Sequence, residues 1–141
     1  MTESAWRTIR EGLAENESRL VARLPATPIP GASLCRECAH LTLGHLISCQ
    51  SALLPLMRSL AAGEARGEIA IRPNPLYRIE GLAKLDWPAL LSRFRTEREE
   101  WKRLADTVDP SRTLQTSHRI WSTRTLTKRL VDHESSHLAA L

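Results

Sequence analysis

Apolar residues recur along most of this chain at steps of three and four, the period of a helix with one buried face. From about Ser4 to Leu24 they are Trp6, Ile9, Leu13, Leu20 and Leu24, which predicts a first helix. Pro25, Pro28 and Pro30 stop it, because proline lacks an amide proton and crowds the preceding turn. A second helix is expected after Gly31, with Ser33 as its N-cap, ending near Gly63. Its inward stripe reads Leu34, Cys38, Leu41, His45, Cys49, Ala52 and Leu56, and Pro55 should kink its last turns. Asp86-Trp87-Pro88 reads as an N-cap with an early proline, opening a third helix that ends before Asp109-Pro110. Its apolar face is Leu90, Phe94, Trp101, Leu104 and Val108. A fourth helix begins near Ser122 or Thr123, with the stripe Leu126, Leu130, His133, His137 and Leu141.

The stretch from Gly63 to Leu85 holds Gly67, Pro73, Pro75 and Gly81 and is too long for a simple helical hairpin. It reads as a crossover that lets the third helix start at the far end of a bundle, parallel to the second. The expected fold is therefore all-α: one four-helix bundle over residues 1–141, with a long crossover between helices 2 and 3. A chain of 141 residues is the right size for one domain with one core. Four Trp, one Tyr and one Phe, with few β-branched residues, argue against an all-β fold.

A hydrophobic content of 42% excludes a disordered chain. The net charge of +4 comes from signs that alternate along the chain, so no nucleic-acid partner is expected. Residues Cys38 to Met57 lack Asp, Glu, Lys and Arg, which raises the question of a membrane span. His40, Thr42, His45, Ser48, Gln50 and Ser51 make that segment too polar for lipid, and it reads as a helix buried within a bundle. Met1 to Trp6 shows neither the basic nor the apolar region of a signal peptide, and three cysteines do not suggest a disulfide framework. A cytoplasmic protein is expected.

The candidate chemistry lies in the histidines. His133 and His137 are spaced i,i+4, which places both imidazoles on one side of a helix, one turn apart, where they can hold one metal ion. His45 sits in register with Leu41 and Cys49 on helix 2. Three imidazoles from two helices leave a fourth position for water or substrate, as in a catalytic zinc-type site. Imidazole ligands suit zinc, nickel, iron or copper alike. Glu134 adjoins His133 and has three readings: a general base, an acceptor for a ligand N–H, or a surface carboxylate. Asn16 and Glu97 or Arg98 fall mid-seam on helices 1 and 3 and are expected to turn outward to water; turned inward, they would orient an imidazole or bind a polar substrate. Cys35 and Cys38 form a C-x-x-C pair near a helix start, with small buried side chains as the default reading. His40 is off the His45 face, and His118 precedes helix 4 at the expected mouth of the site.

Two stretches carry a family resemblance. One runs from His45-Leu-Ile-Ser-Cys49 to Leu60-Ala-Ala-Gly63-Glu64, the other from His118 through Thr125-Leu126 to His133-Glu-Ser-Ser-His137-Leu138. Together they resemble the DinB/YfiT-like superfamily of metal-binding four-helix bundles. The resemblance implies a divalent metal held by His45, His133 and His137, with zinc or nickel foremost and iron next. It implies a long crossover after helix 2, and a small-molecule substrate, since members include transferases that use thiols such as bacillithiol or mycothiol. Such bundles often form homodimers through helix faces. Two positions depart from the pattern: Glu134 stands where Asp is frequent, and Ser122 where Gly is usual before helix 4. The reading from the residues alone keeps a rival, a non-catalytic stress-response binding or dimerisation bundle whose seam histidines are merely hydrogen-bonded.

Overall fold

The computed structural model describes residues 1–23, 33–69 and 82–139, with side chains except at 23, 33–41 and 83. Four helices carry the chain: α1 (Glu3–Arg23), α2 (Ser33–Ala61), α3 (Trp87–Thr107) and α4 (Thr123–Ala139). A single 3-10 turn, Leu82–Lys84, precedes α3. A small antiparallel hairpin, β1 (Leu114–Gln115) and β2 (Ile120–Trp121), joins α3 to α4. That hairpin was not expected from the sequence: two-residue strands are too short to show an alternating pattern.

The helix ends follow local chemistry. Asp86 caps α3 by accepting a hydrogen bond from the Ala89 amide at 2.9 Å. Gly63, at φ 77°, closes α2 in a Schellman turn, in which the Glu64 amide donates to Ser59 O and the Gly63 amide to Leu60 O. Arg112 adds bonds from one guanidinium nitrogen to Leu60 O and Ala61 O, at 3.1 Å each. Ser122 starts α4 through a reciprocal cap. Its amide donates to Thr125 Oγ1 at 2.8 Å, and its Oγ accepts from the Thr125 amide at 3.2 Å. The cap gives this helix a firm beginning.

Two apolar clusters set the topology. One holds Leu13 of α1, Leu54 and Met57 of α2, Trp101 and Leu104 of α3, and Leu126 and Leu130 of α4. The other holds Leu20, Leu43 and Ile47, Leu90 and Phe94, and Leu138. Chain order through the clusters makes α2 and α3 parallel to each other and antiparallel to α1 and α4. A parallel α2–α3 pair requires the connection after α2 to travel the length of the bundle, as expected; its middle, residues 70–81, lies outside the described residues.

Between the clusters every helix contributes buried polar residues: Asn16, Ser48 with Gln50, Arg98 and Glu134. Asn16 Nδ2 donates to Val131 O and Ser135 Oγ, Gln50 Nε2 to Phe94 O, and Arg98 Nη1 to Leu13 O. Arg98 Nη2 pairs with Glu134 Oε2. This layer corrects the expectation that Asn16 and Arg98 turn outward. Glu97, by contrast, is half-buried, where it accepts from Ser51 Oγ and pairs with Arg93.

The apolar faces of α1 and α3 fall where the sequence placed them, as far as they are described. Those of α2 and α4 are rotated. The core face of α2 is Leu43, Leu46, Ile47, Gln50, Leu53, Leu54, Met57 and Leu60, and that of α4 is Leu126, Thr127, Leu130, Val131, Glu134 and Leu138. Leu56 of the expected α2 stripe and Leu126 and Leu130 of the expected α4 stripe are also buried in the core, whereas His45, Cys49, His133 and His137 flank these faces. Pro55 points to solvent and α2 continues through it. Among the described residues no helix is long and apolar enough to cross a membrane.

Candidate metal centre

His45 and Cys49 stand one turn apart on α2, and His133 and His137 one turn apart on α4. Because α2 and α4 run antiparallel and touch, the two pairs meet at the seam between the helices. All four side chains are half-buried, which leaves the site open on one side to solvent.

The three imidazoles turn the same atom inward. His45 Nε2 lies 3.1 Å from His133 Nε2, which lies 3.2 Å from His137 Nε2. The ring centroids are farther apart, at 4.6 to 5.0 Å, and the rings stand edge to face. Nitrogens closer than their ring centres mean that the Nε2 edges of His45 and His137 both turn toward His133 Nε2. Each Nε2 has one in-plane position, either a proton or a lone pair. His133 Nε2 therefore makes a hydrogen bond with His45 or with His137 as donor or acceptor, and cannot serve each in a different role. A single cation accepts all three lone pairs at once.

The distances suit that occupant. Ligand bonds of about 2.0–2.1 Å at tetrahedral angles separate two nitrogens by about 3.3–3.4 Å, close to the 3.1 and 3.2 Å found here. The donor atoms of His45, Cys49 and His133 all lie within 4.8 Å of one another, near enough to hold a metal ion.

Burial also sets the protonation state. His45 is lowered from the usual imidazole value, first by burial and then by the His137 charge. His133 is lowered to about 4, by burial first and then by His137, His45 and Arg129. Both rings are neutral near pH 7, the form that binds metal. Burial pushes the Cys49 thiol up, against the pull of Arg129.

Glu134 is not a surface carboxylate. Its side chain is fully buried and ion-paired to an equally buried Arg98. Burial pushes its carboxyl up while Arg98 and Asn16 pull it down, and Oε1 has no hydrogen-bond partner. It faces the polar layer on the inner side of α4, while His133, one residue earlier, faces α2. His118 is exposed in the β1–β2 turn beside the start of α4. His133 is ten residues further along α4, about 15 Å at the helical rise, so His118 is not at the site mouth. Cys35, Cys38 and His40 lie outside the described side chains.

Cys49, whose place one turn after His45 lets it reach the metal region, is brought there, with Sγ 3.9 Å from both His45 Nε2 and His133 Nε2. The chain matches no family model, no curated protein and no solved structure.

Proposed function

We propose that this chain is a divalent-metal-dependent enzyme of the DinB-like kind, acting on a small-molecule substrate. The convergence of the His45, His133 and His137 Nε2 atoms carries the reading. These histidines would hold the ion, with zinc or nickel foremost and iron next. A divalent cation there supplies Lewis acidity that lowers the pKa of a thiol or water molecule within its reach. A low-molecular-weight thiol as co-substrate, and hence an S-transferase, follows from the resemblance of the two histidine-bearing stretches to thiol-using members of that superfamily.

The residues of the chain have separate parts. Neutral His45 and His133 present lone pairs without first losing a proton. Arg129, one turn before His133, places a positive charge beside the site that favours an anionic sulfur. The Arg98–Glu134 pair ties α4 to α3 and fixes the rotation that aims His133 and His137 at α2. Glu134 thus acts as a positioning residue, not as the general base of the reaction.

The test is metal analysis of protein purified without an affinity tag, before and after incubation with zinc or nickel. Loaded protein is then mixed with a low-molecular-weight thiol and an alkylating electrophile, and free thiol is followed against the metal-free protein. Metal uptake with faster thiol loss supports the proposal. Protein that takes up no metal overturns it entirely; uptake without faster thiol loss overturns the transferase reading.

A further inference from the structure

The site contains four candidate ligands. We propose that Cys49 is the fourth metal ligand, so that the resting site is a closed His3Cys tetrahedron and not a three-histidine site with a vacant position. The inference rests on the metal reading above and changes what that site can do.

The geometry is a double pair. His45 and Cys49 form an i,i+4 pair on α2, and His133 and His137 form one on α4. Two such pairs on facing helices bring four candidate donors, the number a closed tetrahedral site needs, to one seam: the donor atoms of His45, Cys49 and His133 lie within 4.8 Å of one another, and His137 Nε2 stands 3.2 Å from His133 Nε2. Cys49 Sγ lies 3.9 Å from His45 Nε2 and 3.9 Å from His133 Nε2. In a tetrahedron with a metal–sulfur bond of about 2.3 Å and metal–nitrogen bonds of about 2.0–2.1 Å, that edge is about 3.6 Å. The sulfur stands symmetrically over the edge between the two nitrogens, a few tenths of an ångström from the ligand position.

Loading forms the sulfur–metal bond and breaks the S–H bond, and the proton goes to solvent. An external thiol then has no vacant position waiting. It enters either by displacing the Cys49 sulfur or by adding a fifth ligand, so Cys49 sets the access of any thiol substrate to the ion.

The full chain, freed of metal, is titrated with cobalt(II), whose spectrum reports ligand type. The expected result is visible absorption of tetrahedral intensity together with a near-ultraviolet thiolate-to-cobalt charge-transfer band. In Cys49→Ser and Cys49→Ala, that band is lost while visible absorption from the histidine site remains. If those variants fail to fold, the Cys35→Ser/Cys38→Ser chain, whose one remaining cysteine is Cys49, reads the same question: the band kept there supports the assignment and its loss overturns it. Cobalt bound without a charge-transfer band, or a band that survives in both variants, overturns the Cys49 assignment and leaves the three-histidine metal reading standing. No cobalt or zinc bound by the wild-type chain overturns both.

Discussion

Arg98 and Glu134 face each other from α3 and α4, both with fully buried side chains, in the polar layer that separates the two apolar clusters. Arg98 also donates to Leu13 O, so a single side chain ties α1, α3 and α4 together. Taking two charges out of water costs more than most single ion pairs return, whereas removing one partner leaves the other charged and unpaired.

Replacing one partner is therefore expected to be far worse than replacing both. Arg98→Met or Glu134→Leu should each lower stability by about 3–5 kcal/mol. The double variant should lose much less than the sum of the two. Urea unfolding of all four proteins checks this, and losses that simply add would show that the pair is not coupled.

Metal binding should depend on the seam histidines and not on His118. His133→Ala and His137→Ala are expected to lose bound zinc or nickel, while His118→Ala, exposed on the distant hairpin, keeps it. His45→Leu separates the two functional readings. A metalloprotein loses its metal, whereas a non-catalytic bundle is stabilised by the extra apolar side chain and shows no metal before or after the change. Elemental analysis with a thermal melt of each variant reads both effects.

The lowered histidines give the metal-free protein a pH dependence of definite sign. Between the usual imidazole value of 6.5 and the His133 value of about 4, the unfolded chain holds the proton that folded His133 refuses. The stability this group contributes is thus present above 6.5 and falls as pH drops through that window. Urea midpoints of chelator-treated protein at pH 7.5 and 5.5 should differ in that direction. The difference should shrink in His133→Gln, which cannot titrate; an unchanged difference would assign it to other groups.

The cap on α3 offers a local test. Asp86→Ala removes the acceptor of the Ala89 amide and is expected to cost about 1 kcal/mol. Asp86→Asn should recover most of it. If alanine and asparagine behave alike, the side-chain cap contributes nothing to stability.

The start and stop of each helix were legible because they are set locally. Asp86 with Pro88, Gly63 and the Ser122 cap act through their own backbone neighbours, and the observed ends lie within a few residues of those expected. The pairing of His133 with His137 was legible for the same reason, since a helix fixes which residues share a side. The parallel run of α2 and α3 was readable from the length of chain between them, because no short connection joins two parallel helices.

The faces of α2 and α4 were decided elsewhere. On α2 the row through His45 and Cys49 and the row through Leu43, Ile47 and Leu54 are both free of charge, so hydropathy alone does not choose between them. The choice falls to Phe94 and Leu90 of α3 and Leu20 of α1, which cover the second row. That rotation puts the histidines at the half-open seam and brings Glu134 inside. Arg98 and Glu134 look like solvated charges in one dimension, and each is tolerable in the core only because the other is there. The sequence by itself determined the helices and the spacing of the ligands along them. Only the tertiary structure decided which residues meet across helices, because a contact between residues 45 and 133 or 98 and 134 depends on the relative rotation of two helices, which the packing of all four fixes together.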